Sequence, residues 1–357
     1  MDFMLGRRLR ELPGPILVTG HTGFKGAWLT FLLDHLGIDS VGYSLAPTAD
    51  SLYARANREG AIPEAFADIR DFDQVRAFLA KHRPSAIIHM AAQPLVLESY
   101  KSPRETFDTN VMGTVNILDA AFETNHVEAI VAVTTDKVYR NDNSGRAFVE
   151  TDALAGKDPY SASKVGTESA VAAWQQIAKV SGGPKVVSVR AGNVIGGGDW
   201  AENRLIPDLV RGFASGQQVQ IRNPESTRPW QHVLDPLSGY LMALEAVLNG
   251  KNIPALNFGP SADSLTVREV VDIATGTWPN GESVPVSYED GNGHVEAKSL
   301  QLDSTLARSS LGWKDSWNQK EAVMATVRWW DNVLNNATPA LEESQIDIAH
   351  LLQRISG

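Results

Sequence analysis

The chain has 357 residues, with 32 Lys and Arg against 42 Asp and Glu, eight histidines and no cysteine. At roughly 150 residues per domain this length predicts about two domains with a sizeable buried core; the composition excludes disulfides, thiolate catalysis and Cys-ligated zinc, and histidines without HExxH-like spacing leave no metal site expected. A net charge of −10 argues against nonspecific binding to nucleic acid or anionic membrane, and with no signal-peptide run in MDFMLGRRLRELPGP and no apolar stretch of about 18 residues, a soluble cytoplasmic protein is expected.

Between residues 16 and 195, short β-branched runs alternate with longer helical stretches, the rhythm of a doubly wound parallel α/β sheet. The runs ILVTG (16–20), SVGYSL (40–45), AIIHMA (86–91), AIVAVTT (129–135) and VVSVR (186–190) predict strands, with a further strand just before Asp68. Helical spacing is predicted over Ala27–Leu36, Asp73–Lys81, Pro103–Thr124 and Pro159–Lys179, the last started by an Asp158 cap and a first-turn proline. After Arg190 a loop rich in Gly, Asn and Asp leaves the sheet. The chain then predicts a helix at Leu205–Ala214, a strand at VQIR (219–222), a helix at Asp235–Leu248 and a returning strand at ALNFG (255–259). Beyond these come a helix at Val267–Thr275, a polar loop at 289–299, amphipathic helices at 304–311 and 319–334, and a polar tail of 23 residues expected to dock loosely.

Gly20-His21-Thr22-Gly23-Phe24-Lys25-Gly26 lies between the first strand and the first helix. Such glycines permit a tight turn and close approach of backbone to a pyrophosphate at a helix N-terminus; the plainer reading is three turn glycines. The second strand ends Gly42-Tyr43-Ser44, with no carboxylate for the adenosine ribose, so NAD and NADP stay open there. Asp68-Ile69 either borders the adenine or is a loop pair. Ala91-Ala92-Gln93 leaves room for a cofactor, and His89 before it reads as a core histidine. Thr135-Asp136-Lys137 closes another strand. Tyr160 and Lys164 stand four apart, on one helical face. An ammonium beside the phenol lowers a pKa that starts near ~10, and the Thr135 hydroxyl can bond the same substrate oxygen. The set can take an alcohol proton as hydride leaves the carbinol carbon.

TGHTGFKG (19–26), AAQPLV (91–96), TTDKVY (134–139), PYSASK (159–164), GGGDW (196–200) and RPWQHVLD (228–235), in that order, resemble the extended short-chain dehydrogenase/reductase family. The resemblance spans about residues 14–330 and is strongest to the branch of nucleotide-sugar 4,6-dehydratases acting on CDP-glucose. It implies a Rossmann-type domain, 14–190 with 234–260 returning, that binds NAD through Gly20, Thr22, Gly23, Phe24, Lys25, Gly26, Ser44, Asp68, Ile69, Ala91, Ala92, Gln93, Asn110, Tyr160 and Lys164. A smaller, discontinuous α+β substrate lobe would come from 191–233 and 261–335, with 336–357 as a tail. Thr135, Tyr160 and Lys164 would form the catalytic set, supported by Asn110, which on sequence alone is equally a solvated helix residue.

The resemblance further implies dehydration by internal redox, in a route to 3,6-dideoxyhexoses and lipopolysaccharide sugars. Asp136 would be the acid for the C6 oxygen and Lys137 the base for C5. A lysine base needs a pKa well below ~10.4, for which NAD⁺ and Lys164 nearby would serve; the other reading makes Lys137 a structural partner of Asp136. Five arginines and no lysine lie between residues 190 and 232. Arg204 and Arg228 are the candidates for the diphosphate, with Asn193 beside them and Ser99 near the sugar. Arg211 reads as solvated, and Trp230 as either a stacking or a buried residue. Leu97-Glu98 stands where the family often carries arginine, so a contact there is in doubt. A homodimer through the helices at 103–124 and 159–179 is implied, and a nucleotide-sugar 4-epimerase, which needs no C5 and C6 acid–base pair, is the competing activity.

Overall fold

A computed structural model describes residues 5–261, 264–289 and 300–356; the polar loop expected at 289–299 lies outside them from residue 290 on. Seven parallel strands form one sheet: β1 (Ile16–Thr19), β2 (Ser40–Ser44), β3 (Glu64–Phe66), β4 (Ala86–His89), β5 (Ala129–Val133), β6 (Lys185–Ala191) and, after β7 (Val219–Arg222) outside the sheet, β8 (Ala255–Phe258). Their order is β8-β6-β5-β4-β1-β2-β3, so the direction of winding reverses between β1 and β4. In such sheets the crevice beyond the carboxyl ends of the strands at this switch is where ligands bind.

The strands read as unbroken apolar runs because both faces are covered. Every residue of β1, β4 and β5 is buried. Ile16 and Val18 enter one core cluster while Leu17 enters the other, as the two-residue period of a strand requires. Helices cover both faces: α1 (Phe24–His35), α2 (Phe72–His82), α3 (Pro103–Phe107), α4 (Gly113–Phe122) and α5 (Pro159–Ser181). Asp158 starts α5 with a full capping box: its carboxylate accepts from the Ser161 amide at 2.9 Å while Ser161 Oγ accepts from the Asp158 amide at 3.0 Å.

Beyond β6 the chain adds α6 (Leu205–Ser215), α7 (Leu234–Leu248), α8 (Val267–Thr277), α9 (Thr305–Leu311) and α10 (Gln319–Leu334). β7 pairs in parallel with β9 (Val286–Glu289), and two-residue pairings join 194–195 to 231–232 and 227–228 to 265–266. The GGGDW loop is wedged into this region. A Cβ on Gly197 would lie 1.9 Å from Trp329, and the Trp28 indole donates to the Gly197 carbonyl at 2.8 Å.

Three expectations are corrected. The first helix begins at Phe24, not Ala27, because the Gly23 carbonyl already accepts the Ala27 amide at 2.8 Å. The predicted helix at 103–124 is broken by a π-helical turn, Asp108–Met112. The polar tail, expected to dock loosely, is the helix α11 (Ala340–Ser356), which packs on α1 and α10. Ile348, Leu351 and Leu352 form its buried stripe, and Ser344 Oγ accepts the Trp329 indole at 3.1 Å. None of the described helices is long and apolar enough to cross a membrane.

Candidate active site

The glycine loop turns at Gly20, whose φ of +71° is open to glycine and whose Cβ position lies 2.9 Å from the Ala91 backbone. A Cβ at Gly26 would fall 2.0 Å from the Gly20 carbonyl oxygen. No side chain fits at either place, so backbone and the open N-terminus of α1 face the crevice, a cradle suited to a pyrophosphate. Thr22 Oγ1 donates to the Leu45 carbonyl at 2.9 Å and lies 2.8 Å from Ser44 Oγ, tying the loop to the end of β2. Asp68 follows β3; two nitrogens of Arg70 hold its carboxylate at 2.7–3.1 Å and keep its pKa low. Ile69 is buried against Gly113.

His21 was not singled out by sequence. It is fully buried, with Nε2 2.7 Å from Glu64 Oε2, a carboxylate that also accepts the Tyr53 hydroxyl at 2.8 Å. Burial lowers the His21 pKa against the pull of Glu64. The two residues are 43 positions apart, and only the fold joins β1 to β3 through β2.

Under the crevice runs a buried chain of hydrogen bonds. Thr19 Oγ1 accepts the Met90 and Ala91 amides at 3.1 Å and so donates to His89 Nδ1 at 2.7 Å. His89 Nε2 then donates to Thr114 Oγ1 at 3.0 Å, and Thr114 to the Asn110 carbonyl at 2.7 Å. Burial drives the His89 pKa down to about 3, so the ring is neutral, and its hydrogen bonds to Thr19 and Thr114 set the tautomer. Asn110 sits in the π-helical turn and is 1% exposed, so it is no solvated residue. Its side chain accepts the Gln93 amide at 2.8 Å and donates to the Gln93 carbonyl at 3.1 Å and Ser163 Oγ at 2.8 Å. It thereby joins the Ala91–Gln93 segment to α5 at Ser163, the residue before Lys164.

Thr135, Asp136 and Lys137 occupy a single turn after β5. Asp136 is fully buried; Oδ1 accepts the Thr135 hydroxyl at 3.0 Å and Lys137 Nζ at 3.4 Å, and Oδ2, beside Gly192, has no hydrogen-bond partner among the described residues. Burial raises the Tyr160 pKa, opposed first by the Lys137 ammonium and then by the Thr135 hydroxyl. The cation acting most strongly on the phenol is therefore Lys137, where Lys164 was expected. Lys164 donates to the Val133 carbonyl at 3.2 Å, and burial lowers its pKa to about 8 against the pull of Glu168.

For Lys137 the expected direction is reversed. Burial disfavours its ammonium, yet Asp136 and Tyr160 outweigh burial and raise its pKa, with Arg228 opposing them. Lys25, partly exposed, lies here too. Burial takes its pKa down to about 7, helped by Arg204, Lys164 and Lys137 and opposed by Asp136. Lys25, Lys137, Lys164, Arg204 and Arg228 thus converge on one crevice around Asp136, a concentration of positive charge suited to an anion.

Arg204 is held by Asp199 of the GGGDW loop at 2.9 Å, and its charge reaches both Lys25 and Tyr160. Arg228 donates to the Thr227 carbonyl at 2.7 Å and acts on Lys137. The Asn193 carbonyl accepts the Gln231 amide at 3.0 Å, pinning the loop that leaves β6. Ser99, expected to face the sugar, is fully buried: Oγ accepts the Tyr160 amide at 3.1 Å and donates to the Val96 carbonyl at 2.6 Å. Its effect on the site passes through Tyr160. Arg211, read as solvated, folds back onto the Trp200 and Ala201 carbonyls and pairs with Asp208. Trp230 is buried, and Glu98 pairs with Lys101 at 3.3 Å. No group of three potential metal ligands occurs among the described residues.

The profile of the NAD dependent epimerase/dehydratase family matches residues 16–259. The CDP-glucose 4,6-dehydratase of Salmonella typhimurium is 42% identical over 324 residues, covering 88% of this chain and 89% of that protein. Among solved structures, the UDP-glucose 4-epimerase of Stenotrophomonas maltophila with bound NAD superposes with a TM-score of 0.78 at 23% identity, over 91% of this chain and 100% of that one. The dTDP-glucose 4,6-dehydratase of Streptomyces venezuelae gives 0.76 at 24% identity, over 92% and 99%. At that identity the two structures speak for the fold.

Proposed function

Because this chain belongs to the NAD dependent epimerase/dehydratase family, we propose that it converts CDP-D-glucose to CDP-4-dehydro-6-deoxy-D-glucose and water. The observation that carries the reading is one turn holding Thr135, Asp136 and Lys137 against Tyr160, in a chain 42% identical to a CDP-glucose 4,6-dehydratase. The cofactor is NAD, which Ser44 alone left open. The Gly20 and Gly26 cradle, the α1 N-terminus and the small Ala91–Ala92 floor fit it. When bound, NAD would take hydride from C4 and return it to C6, so none is consumed.

The residues then divide the proton chemistry. Tyr160 as phenolate takes the proton of the 4-hydroxyl, with the Thr135 hydroxyl on the same oxygen, and the C4 alcohol becomes a ketone. The ketone acidifies the C5 proton. In this structure Lys137 is an ammonium 3.4 Å from Asp136 Oδ1. Moving that one proton from Lys137 to Asp136 creates both partners needed next, an amine for the C5 proton and a carboxylic acid for the C6 oxygen. The amine takes the C5 proton, the C6–O bond breaks, and the acid protonates the departing hydroxide as water. Once Tyr160 has become a phenol, its attraction for the Lys137 ammonium is gone, which favours the shift. Lys137 then returns its proton to C5 as hydride reaches C6, and the proton held by Tyr160 passes to Lys137, which restores the starting phenolate and ammonium. Arg204 and Arg228 hold the diphosphate. The product is the entry to 3,6-dideoxyhexoses and lipopolysaccharide-type sugars, made in the cytoplasm.

The protein with NAD⁺ should form a 4-keto-6-deoxy sugar from CDP-glucose and much less from dTDP- or UDP-glucose, read by the alkaline absorbance of the keto sugar and by mass. A 4-epimer without loss of water, or no reaction with CDP-glucose, would refute the activity. We read the working form as a homodimer. Phe107, Met112 and Ile177 lie on the implicated helices and are 42%, 49% and 42% exposed, apolar surface that a second copy would cover. Light scattering should give twice the chain mass, and Phe107→Asp/Met112→Asp should halve it; a wild-type monomer at micromolar concentration rules the dimer out.

A further inference from the structure

We propose that the buried Glu168–Arg190 pair is a positioning element of the reaction, clamping the Thr135–Lys137 turn at both of its ends. Glu168 stands one helical turn beyond Lys164 on α5, and Arg190 lies near the end of β6. Arg190 meets the carboxylate with two nitrogens, at 2.8 and 2.9 Å, and the two side chains are 5% and 6% exposed. Such a pair costs desolvation and is retained with every polar atom occupied. Here the remaining valences run to the catalytic segment. Thr134, immediately before the turn, donates its hydroxyl to Glu168 at 2.5 Å. Tyr139, two residues after it, accepts from Arg190 at 2.7 Å and donates to Asn257 of β8 at 2.7 Å. Ser188 and the Glu150 carbonyl complete the set at 2.9 and 3.0 Å.

The turn needs such outside ties because its own bonds are long. The Val138 amide reaches the Thr135 carbonyl at 3.5 Å, the Tyr139 amide the Asp136 carbonyl at 3.4 Å, and the Lys137 amide the Thr135 hydroxyl at 3.3 Å. Bonds of this length hold weakly. The ties at Thr134 and Tyr139 are shorter by up to an ångström, and a third runs from Lys164 to the Val133 carbonyl. One ion pair therefore ties both flanks of the segment that carries the acid–base work to α5 and β6. Misplacement by about 1 Å costs a reaction about 10²-fold, so the clamp acts on rate while touching no substrate.

The inference rests on the reaction proposed above, and its test separates the two. Removing Glu168 or Arg190 would leave a buried charge unpaired, so the variants cut the ties and leave the pair intact. In the NAD-loaded protein, Thr134→Val and Tyr139→Phe should each raise amide hydrogen exchange of residues 135–139 by at least about 10-fold without a comparable rise elsewhere. Each should lower kcat for CDP-glucose by about 10- to 100-fold with KM changed by less than about threefold, and Thr134→Ser, which keeps the hydroxyl, should restore both. Exchange in 135–139 at the wild-type rate in both variants overturns the clamp, whether or not CDP-glucose is the substrate. So does faster exchange with unchanged kcat. A wild-type protein inert to CDP-glucose defeats the proposed activity and leaves the exchange result to decide the clamp.

Discussion

Tyr160→Phe is expected to lower kcat for CDP-glucose by about 10³-fold or more, the scale of losing a positioned general base, while NAD binding followed by fluorescence quenching stays within about twofold. The substitution removes one oxygen. The backbone amide of residue 160 still donates to Ser99, and the capping box at Asp158 still starts the helix, so the fold around the site persists. Burial raises the phenol pKa and the Lys137 ammonium opposes that rise. The working form is the phenolate, so the rate should climb with pH through the Tyr160 pKa. Taking away the Lys137 charge should move that acid limb to higher pH. A Tyr160→Phe enzyme that keeps a tenth of wild-type turnover would remove Tyr160 from the reaction.

Lys137→Ala is expected to separate oxidation from elimination. Solvent exchange of the C5 proton and water loss should each fall by about 10²-fold or more, while mass spectrometry should find a CDP-4-ketoglucose with its C6 oxygen retained. Asp136→Asn should give the same block, since the amide cannot take the shared proton, and combining the two should cost little more than either alone, the pattern of residues that act as a unit. C5 exchange at the wild-type rate in Lys137→Ala would show that Lys137 is not the base and would leave it as the ion-pair partner of Asp136. The raised pKa of Lys137 makes this the sharper of the two tests, because Lys137 must give up a proton before it can accept one.

What could be read from the chain depended on how locally each signal was encoded. The central strands were legible because burial on both faces leaves continuous apolar runs, whereas β3 has three residues with no buried position and was locatable only by its place before Asp68. Phe24-Lys25-Gly26 looked like loop because glycine is a poor helix former, yet these residues make the first turn of α1. The tail was misjudged on composition: Ile348, Leu351 and Leu352 form a narrow stripe in an otherwise polar segment. Within the site, residue types at fixed spacing brought out Thr135, Tyr160 and Lys164. The proton affinity of Lys137 was not legible, since it depends on its burial and on which charges the fold sets beside it, and Asp136 and Tyr160 outweigh burial and Arg228. Ser99 and the Thr134–Glu168–Arg190–Tyr139 ties pass between distant segments and leave no local pattern.

The buried Thr19–His89–Thr114 relay bears on how any pH–rate curve of this protein is to be interpreted. Burial takes its pKa down to about 3, so the imidazole carries no charge near neutral pH. It is an insulator laid under the crevice, electrically silent while Lys25 and Lys164 titrate around it near 7 and 8. An inflection near neutrality, where enzymologists habitually invoke histidine, does not belong to this imidazole.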